Sequence, residues 1–138
     1  MSKRIYFAAP IHQLEDAQLN DAVIYQLRKE GFDVWAPQEA GIASDVAKQT
    51  GQDLAAVRAA FLKKDLSAMK TCDICVAYIG RDRKLSEGML WEMGWFTGMN
   101  KLVIFYNPHH VKTTLMAEFS ADFIVASLGD LLKVLQNV

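Results

Sequence analysis

Short apolar runs alternate along this chain with longer stretches in which apolar residues recur every three or four positions. The short runs, Ile5 to Ala9, Phe32 to Ala36, Asp73 to Ile79, Lys101 to Tyr106 and Phe123 to Ala126, read as strands. Leu14 to Glu30 reads as an amphipathic helix, with Leu19, Val23 and Leu27 spaced four apart and Gly31 at a usual C-cap position. Residues 42 to 69 start polar and continue as a helical run through Leu54, Val57, Ala60, Phe61 and Leu66, with Gly51 as a point where the run can break in two. Ser86 to Met99 predicts a crossover helix with Ser86 or Glu87 near its cap. Lys112 to Phe119 predicts a short helix and Leu128 to Val138 a closing one. This alternation predicts an α/β fold: a single doubly wound parallel five-stranded sheet, order 2-1-3-4-5, with helices on both faces and residues 1–138 in one domain. The longer loops, at 36–50, 80–86 and 107–112, follow strands 2, 3 and 4. They can therefore meet over one crevice at the carboxyl edge of the sheet, where open α/β folds place their ligands.

Composition narrows the function classes. Of 138 residues, 51% are apolar and 22% charged, which fits a folded domain rather than a disordered chain. A formal net charge of −1 argues against nucleic-acid binding through a basic surface and sets up no field against a modestly anionic small ligand. No 18-residue apolar span exists, so no membrane crossing is expected. The basic start Met1-Ser2-Lys3-Arg4 runs straight into the first strand, which reads as a cytoplasmic protein without a signal peptide. Cys72 and Cys75 form a C-x-x-C spacing, but the pair opens a strand rather than a helix, so core packing explains it better than redox chemistry. No further ligands cluster there for zinc, and His109 and His110 stand in a loop with nothing to support a metal.

Glu92 is the most informative residue. It sits among Leu90, Trp91, Met93, Trp95 and Phe96, where an isolated carboxylate is costly to bury. An exposed helix position is the plain alternative. Gly88 lies one turn earlier on the same face, where the missing side chain can admit a flat or ring-shaped ligand, or merely loosen the first turn. Gly94 and Gly98 suggest close helix–sheet packing. Tyr6 can orient a carboxylate or just satisfy a polar atom at a core edge. Asp65 and Asp73 read most simply as solvated surface groups, and Asp73 begins its strand, far from the carboxyl end. Asp82 and Glu87 flank the turn at the crevice, and His12 follows strand 1. The turn Ala8-Ala9-Pro10-Ile11-His12 lacks a glycine-rich dinucleotide fingerprint, and neither a Walker lysine loop nor a G-x-S-x-G elbow occurs.

The pieces Ile5-Tyr6-Phe7-Ala8-Ala9-Pro10, Asp65-Leu66, Cys72-Asp73, Gly88-Met89-Leu90-Trp91-Glu92-Met93-Gly94 and Leu115-Met116 resemble, in order and spacing, the nucleoside 2-deoxyribosyltransferase family. The resemblance spans about the first four-fifths of the chain, and the glycine–glutamate–glycine segment is its most specific part. It implies a retaining two-step transfer of 2-deoxyribose between bases through a glutamyl intermediate on Glu92. Tyr6 aligns with the residue that positions the nucleophile, Asp73 with an aspartate near the leaving base, and Met116 with a methionine that enters a neighbouring subunit's site. The family uses no cofactor or metal and works as homo-oligomers built from dimers. Partners are then a deoxynucleoside or deoxynucleotide and a free nucleobase, with Pro10 among the substrate-binding residues and base contacts depending on loop positions around Trp35 and Gln38.

Two departures bear on the substrate. Where the transferases carry an aspartate six residues before the nucleophile this chain has Ser86, with Glu87 one position late; where they carry an asparagine two before the methionine it has Thr114. The related deoxynucleoside 5'-monophosphate N-hydrolases resemble it at both places, using hydroxyl residues to hold phosphate, with an arginine where this chain has His12. Hydrolysis of a deoxynucleoside monophosphate is therefore the alternative activity, and a non-catalytic nucleotide-binding domain is the third.

Overall fold

The structure is a computed structural model that describes residues 3–11, 13–81 and 85–138. The strands β1 (Arg4–Ala8), β2 (Asp33–Trp35), β3 (Ile74–Tyr78), β4 (Leu102–Tyr106) and β5 (Phe123–Val125) form one sheet in the order β2-β1-β3-β4-β5, with every neighbouring pair parallel. The helices are α1 (Leu14–Lys29), α2 (Ala43–Thr50), α3 (Leu54–Thr71), α4 (Glu87–Gly98), α5 (Leu115–Ser120) and α6 (Leu128–Asn137), with a 3-10 turn at Pro37–Ala40. The fold class and strand order are those expected from the sequence.

Alternation along the central strands splits the core into two layers. Ile5 and Phe7, Ile74 and Val76, and Ile104 face Val23, Ile24 and Leu27 of α1 and Leu131 and Leu135 of α6. Tyr6 and Ala8, Cys75 and Ala77, and Val103 and Phe105 face Met69 of α3, Met89, Met93 and Phe96 of α4, and Ala117 of α5. All five residues of β3 are buried, as a parallel strand covered on both sides requires.

The segment 36–50, read as mostly loop, holds the 3-10 turn and α2, which Gly51 ends in the left-handed conformation at φ 70°. The short helix starts at Leu115 rather than Lys112 because the Thr114 hydroxyl accepts a hydrogen bond from the Ala117 amide, fixing the N-terminus there. Gly80, where the chain leaves β3, is tightly enclosed: a Cβ there would lie 2.8 Å from the Tyr78 hydroxyl and 3.0 Å from Leu19 Cβ, so both neighbours would have to shift. No helix among the described residues is long and apolar enough to cross a membrane.

Candidate active site

The carboxyl edge of the sheet carries a cavity of about 310 Å3 between the turns after β1 and β2 and the helices α3 and α4. Ala9, Ile11, Pro37, Leu62, Met69, Met89 and Trp91 supply largely apolar walls; Ser86, Gly88, Asp65 and Glu92 supply the rest. Ser86 starts α4, its hydroxyl oxygen accepting from the Met89 amide at 3.2 Å. That cap fixes the helix so that Met89, Met93 and Phe96 pack on the sheet, while Gly88 and Glu92, four apart, share the cavity flank. A Cβ on Gly88 would meet nothing within 4 Å, so the glycine leaves open space beside the carboxylate.

Glu92 is half-buried, and its carboxylate accepts a hydrogen bond from the Tyr6 hydroxyl. Tyr6 is fully buried in β1, with its ring tilted against Phe96 at 5.6 Å between centroids. Burial and the neighbouring carboxylate push the phenol far above its ordinary range, so Tyr6 stays protonated and acts as a donor. Burial raises the Glu92 carboxyl from 4.5 to about 7; the Tyr6 hydrogen bond pulls down and the Asp65 charge pushes up. Asp65, half-buried on α3, is raised by burial from 3.8 to about 6, with Lys64 opposing. Two perturbed carboxyl groups thus share one cavity, an arrangement suited to dividing acid and nucleophile roles. Tyr6→Phe removes a hydrogen bond that favours the charged carboxylate. The Glu92 pKa is then expected to rise further, which shrinks its ionised fraction near neutral pH and lowers kcat about 10- to 100-fold, as a pH series of initial rates will measure.

The other expected site residues are dispersed. Asp73, expected near a leaving base, does not line the cavity. It precedes β3 at the amino edge of the sheet, where its Oδ2 accepts from the Arg4 amide at 2.9 Å and its own amide donates to the Arg4 carbonyl at 2.8 Å. The length of a five-residue strand, roughly 15 Å, separates it from the carboxyl edge. Asp65, which reads from sequence as a surface group, is the aspartate that lines the cavity. Its membership of the matching Asp65-Leu66 piece was the available signal. Glu87 is exposed and does not line the cavity. Pro10 is buried beside it, between the lining residues Ala9 and Ile11. Trp35 lies outside the lining, with the Arg4 guanidinium over its ring at 5.7 Å. Gln38 turns its amide onto α1, donating to the Ala17 carbonyl at 3.2 Å. His12 and Asp82 fall outside the described residues.

Thr114 and Met116 line a second hollow of about 410 Å3 on the other flank of α4, with Leu90, Met93, Gly94, Thr97 and Gly98. Within one chain they do not share the Glu92 cavity. Gly94 and Gly98 face this hollow rather than the sheet, since a Cβ on either would meet nothing within 4 Å; close helix–sheet packing is not their role. Cys72 and Cys75 are buried free thiols whose burial raises them, Cys72 to about 11, which keeps both protonated and suits core packing rather than thiolate chemistry.

The family model for nucleoside 2-deoxyribosyltransferase matches residues 5–130. The chain belongs to that family. Membership places its reaction among deoxyribosyl transfer and N-glycosidic bond cleavage on nucleosides. Among solved structures, a 2-deoxyribosyltransferase from the psychrotolerant bacterium Bacillus psychrosaccharolyticus is similar at 24% identity and a TM-score of 0.75, over 93% of this chain and 89% of that one. A conserved protein from Enterococcus faecalis V583 is similar at 16% identity and 0.77, over 99% of both chains. The CMP N-glycosidase BcmB of Clostridium botulinum is similar at 19% identity and 0.56, over 97% of this chain and 99% of that one. These likenesses show a shared fold. No curated protein sequence matches the chain.

Proposed function

We propose that the protein cleaves the N-glycosidic bond of a 2'-deoxynucleoside and passes the deoxyribose to another base through a covalent bond to Glu92. One observation carries this reading: the Glu92 carboxylate, held by Tyr6, shares an apolar-walled cavity with the second perturbed carboxyl, Asp65. As the base departs, the anomeric carbon becomes cation-like, and a carboxylate beside it stabilises that charge and then bonds to it. The leaving base needs a proton, and Asp65, raised to about 6, supplies it from the less populated arrangement of the pair's single proton, in which Glu92, raised to about 7, is ionised. A second base then attacks from the face the first one left, giving up its proton to the same group. Two inversions give net retention. A deoxy sugar suits this path because it lacks the hydroxyl that would withdraw electron density from the cation.

A second reading, hydrolysis of a 5'-monophosphate, is favoured by Ser86. Its oxygen accepts from the Met89 amide, which leaves the hydroxyl hydrogen to donate to a phosphate, and no carboxylate stands in its place to repel one. The likeness to a CMP N-glycosidase accords with this reading. In either case the second hollow supports assembly with a second copy. Leu115, Met116 and Phe119 of α5 are 69%, 81% and 85% exposed, an apolar surface larger than scattered single side chains present. Thr114 and Met116 would then complete a neighbour's site.

The deciding experiment supplies deoxyinosine with adenine in one mixture and deoxynucleoside monophosphates alone in another. Deoxyadenosine from the first supports transfer, whereas free base with deoxyribose phosphate from the second supports hydrolysis. Binding without product in both, across purines and pyrimidines, leaves a non-catalytic nucleotide-binding domain.

A further inference from the structure

We propose that Asn20 is a positioning residue for the reaction cavity, its buried amide tying together the two loops that bring Ala9, Ile11 and Pro37 into the cavity lining. The role rests on the cavity being the reaction site proposed above.

Asn20 lies on the sheet-facing side of α1 and is 1% exposed. Its companions further along the helix, Val23, Ile24 and Leu27, are apolar, and an amide in such a layer is unfavourable unless its hydrogens are bonded. An amide group has two hydrogens to give. The Nδ2 of Asn20 donates to the Pro10 carbonyl at 2.8 Å, in the turn after β1, and to Gln38 Oε1 at 2.9 Å, in the 3-10 turn after β2. Neither acceptor residue lines the cavity; their immediate neighbours Ala9, Ile11 and Pro37 do.

Both turns depend on this link for reasons visible in the chain. Pro10 has no backbone amide hydrogen, so it can be anchored through hydrogen bonds only at its carbonyl. Gln38 is docked on α1 at its other end as well, Nε2 donating to the Ala17 carbonyl at 3.2 Å and to Asp21 Oδ1 at 2.5 Å. An apolar residue at position 20 would fill the layer equally well. What the amide adds is a fixed relation between two loops that belong to different strands.

The test uses Asn20→Asp and Gln38→Ala in the full chain. Asn20→Asp keeps the volume but turns a donor into an acceptor facing two acceptors. KM for the nucleoside is expected to rise about tenfold, the equivalent of one lost hydrogen bond, while kcat changes less than about threefold. Amide hydrogen exchange is expected to quicken at residues 9–11 and 37–41, with β1 and β3 still protected. Gln38→Ala is expected to move KM and exchange in the same direction, and the double variant to fall short of the sum of the two effects. Unchanged KM and unchanged loop exchange in folded Asn20→Asp overturn the proposal. If that variant does not fold, the same null result in Gln38→Ala overturns it. Failure of the underlying reaction site looks different: Glu92→Gln would then turn over normally while the exchange results stand.

Discussion

Glu92→Gln is expected to lower kcat by at least about 10³-fold while making the protein more stable at pH 8. The first effect follows from the proposed role of Glu92 as nucleophile, whose removal costs far more than removing a binding contact. The second follows from linkage. The folded-state pKa of Glu92 is raised from 4.5 to about 7, so between those values the folded protein holds a proton that the unfolded chain has released. Its stabilising contribution is present below pH 4.5 and is lost as pH rises through about 7. At pH 8 the native protein therefore carries a disfavoured charge, and a neutral amide of the same shape relieves it by about 1 kcal/mol, a common return for neutralising a functional residue. The gain should vanish at pH 4. Thermal melts of the two proteins at both pH values, set beside their turnover, check both halves. A general packing defect would lower activity and stability together.

Asp65→Asn is expected to lower kcat about 10²- to 10³-fold for natural nucleosides, the usual size of a lost general acid. Two further outcomes identify the role. With a deoxyriboside whose leaving group departs without a proton, Asp65→Asn should regain most of its rate, whereas Glu92→Gln should not. The pH profile should also change shape. With groups near 6 and 7, the pair holds its single working proton only in a narrow range, which gives the native enzyme a bell-shaped profile. Asparagine removes the alkaline limb. It also removes the Asp65 charge that raises Glu92, so the limb that remains reports Glu92 alone, at or below about 7. An unaltered bell in Asp65→Asn would assign the proton to another group.

The contrast between Asp65 and Asp73 marks what the sequence made legible. Strand and helix periods, Gly31, Gly51 and the strand–helix alternation specify the sheet order, because crossover handedness and burial leave few other solutions. Tyr6 and Glu92 were legible together: one sits on the α4-facing side of a central strand, the other in an apolar helix beyond the strand ends. Asp73 is drawn toward the site by the resemblance alone, while its place at the start of β3, legible from the sequence, sets it at the amino edge of the sheet. Asp65 looked like solvated surface beside Lys63 and Lys64; only the rotation of α3 as packed on β1 turns it inward. Helix rotation is set by tertiary contacts, here Val57, Ala68 and Met69, and periodicity locates it poorly when the helix is only weakly amphipathic. The direction of Gln38 is illegible for a related reason, since it depends on Asn20 and Asp21 of a helix that precedes it in sequence. Gly94, Gly98, Thr114 and Met116 form their own hollow, something no linear spacing reveals.

The central claim is that the Glu92 carboxylate bonds to the sugar during turnover. Rapid acid quenching of the protein with a deoxynucleoside, followed by protease digestion and peptide mass measurement, tests it directly. A deoxyribosyl adduct on the peptide carrying Glu92, absent from Glu92→Gln and discharged by a second base, is the predicted result. Steady turnover with no adduct on that peptide, or with the sugar attached to another residue, would contradict it.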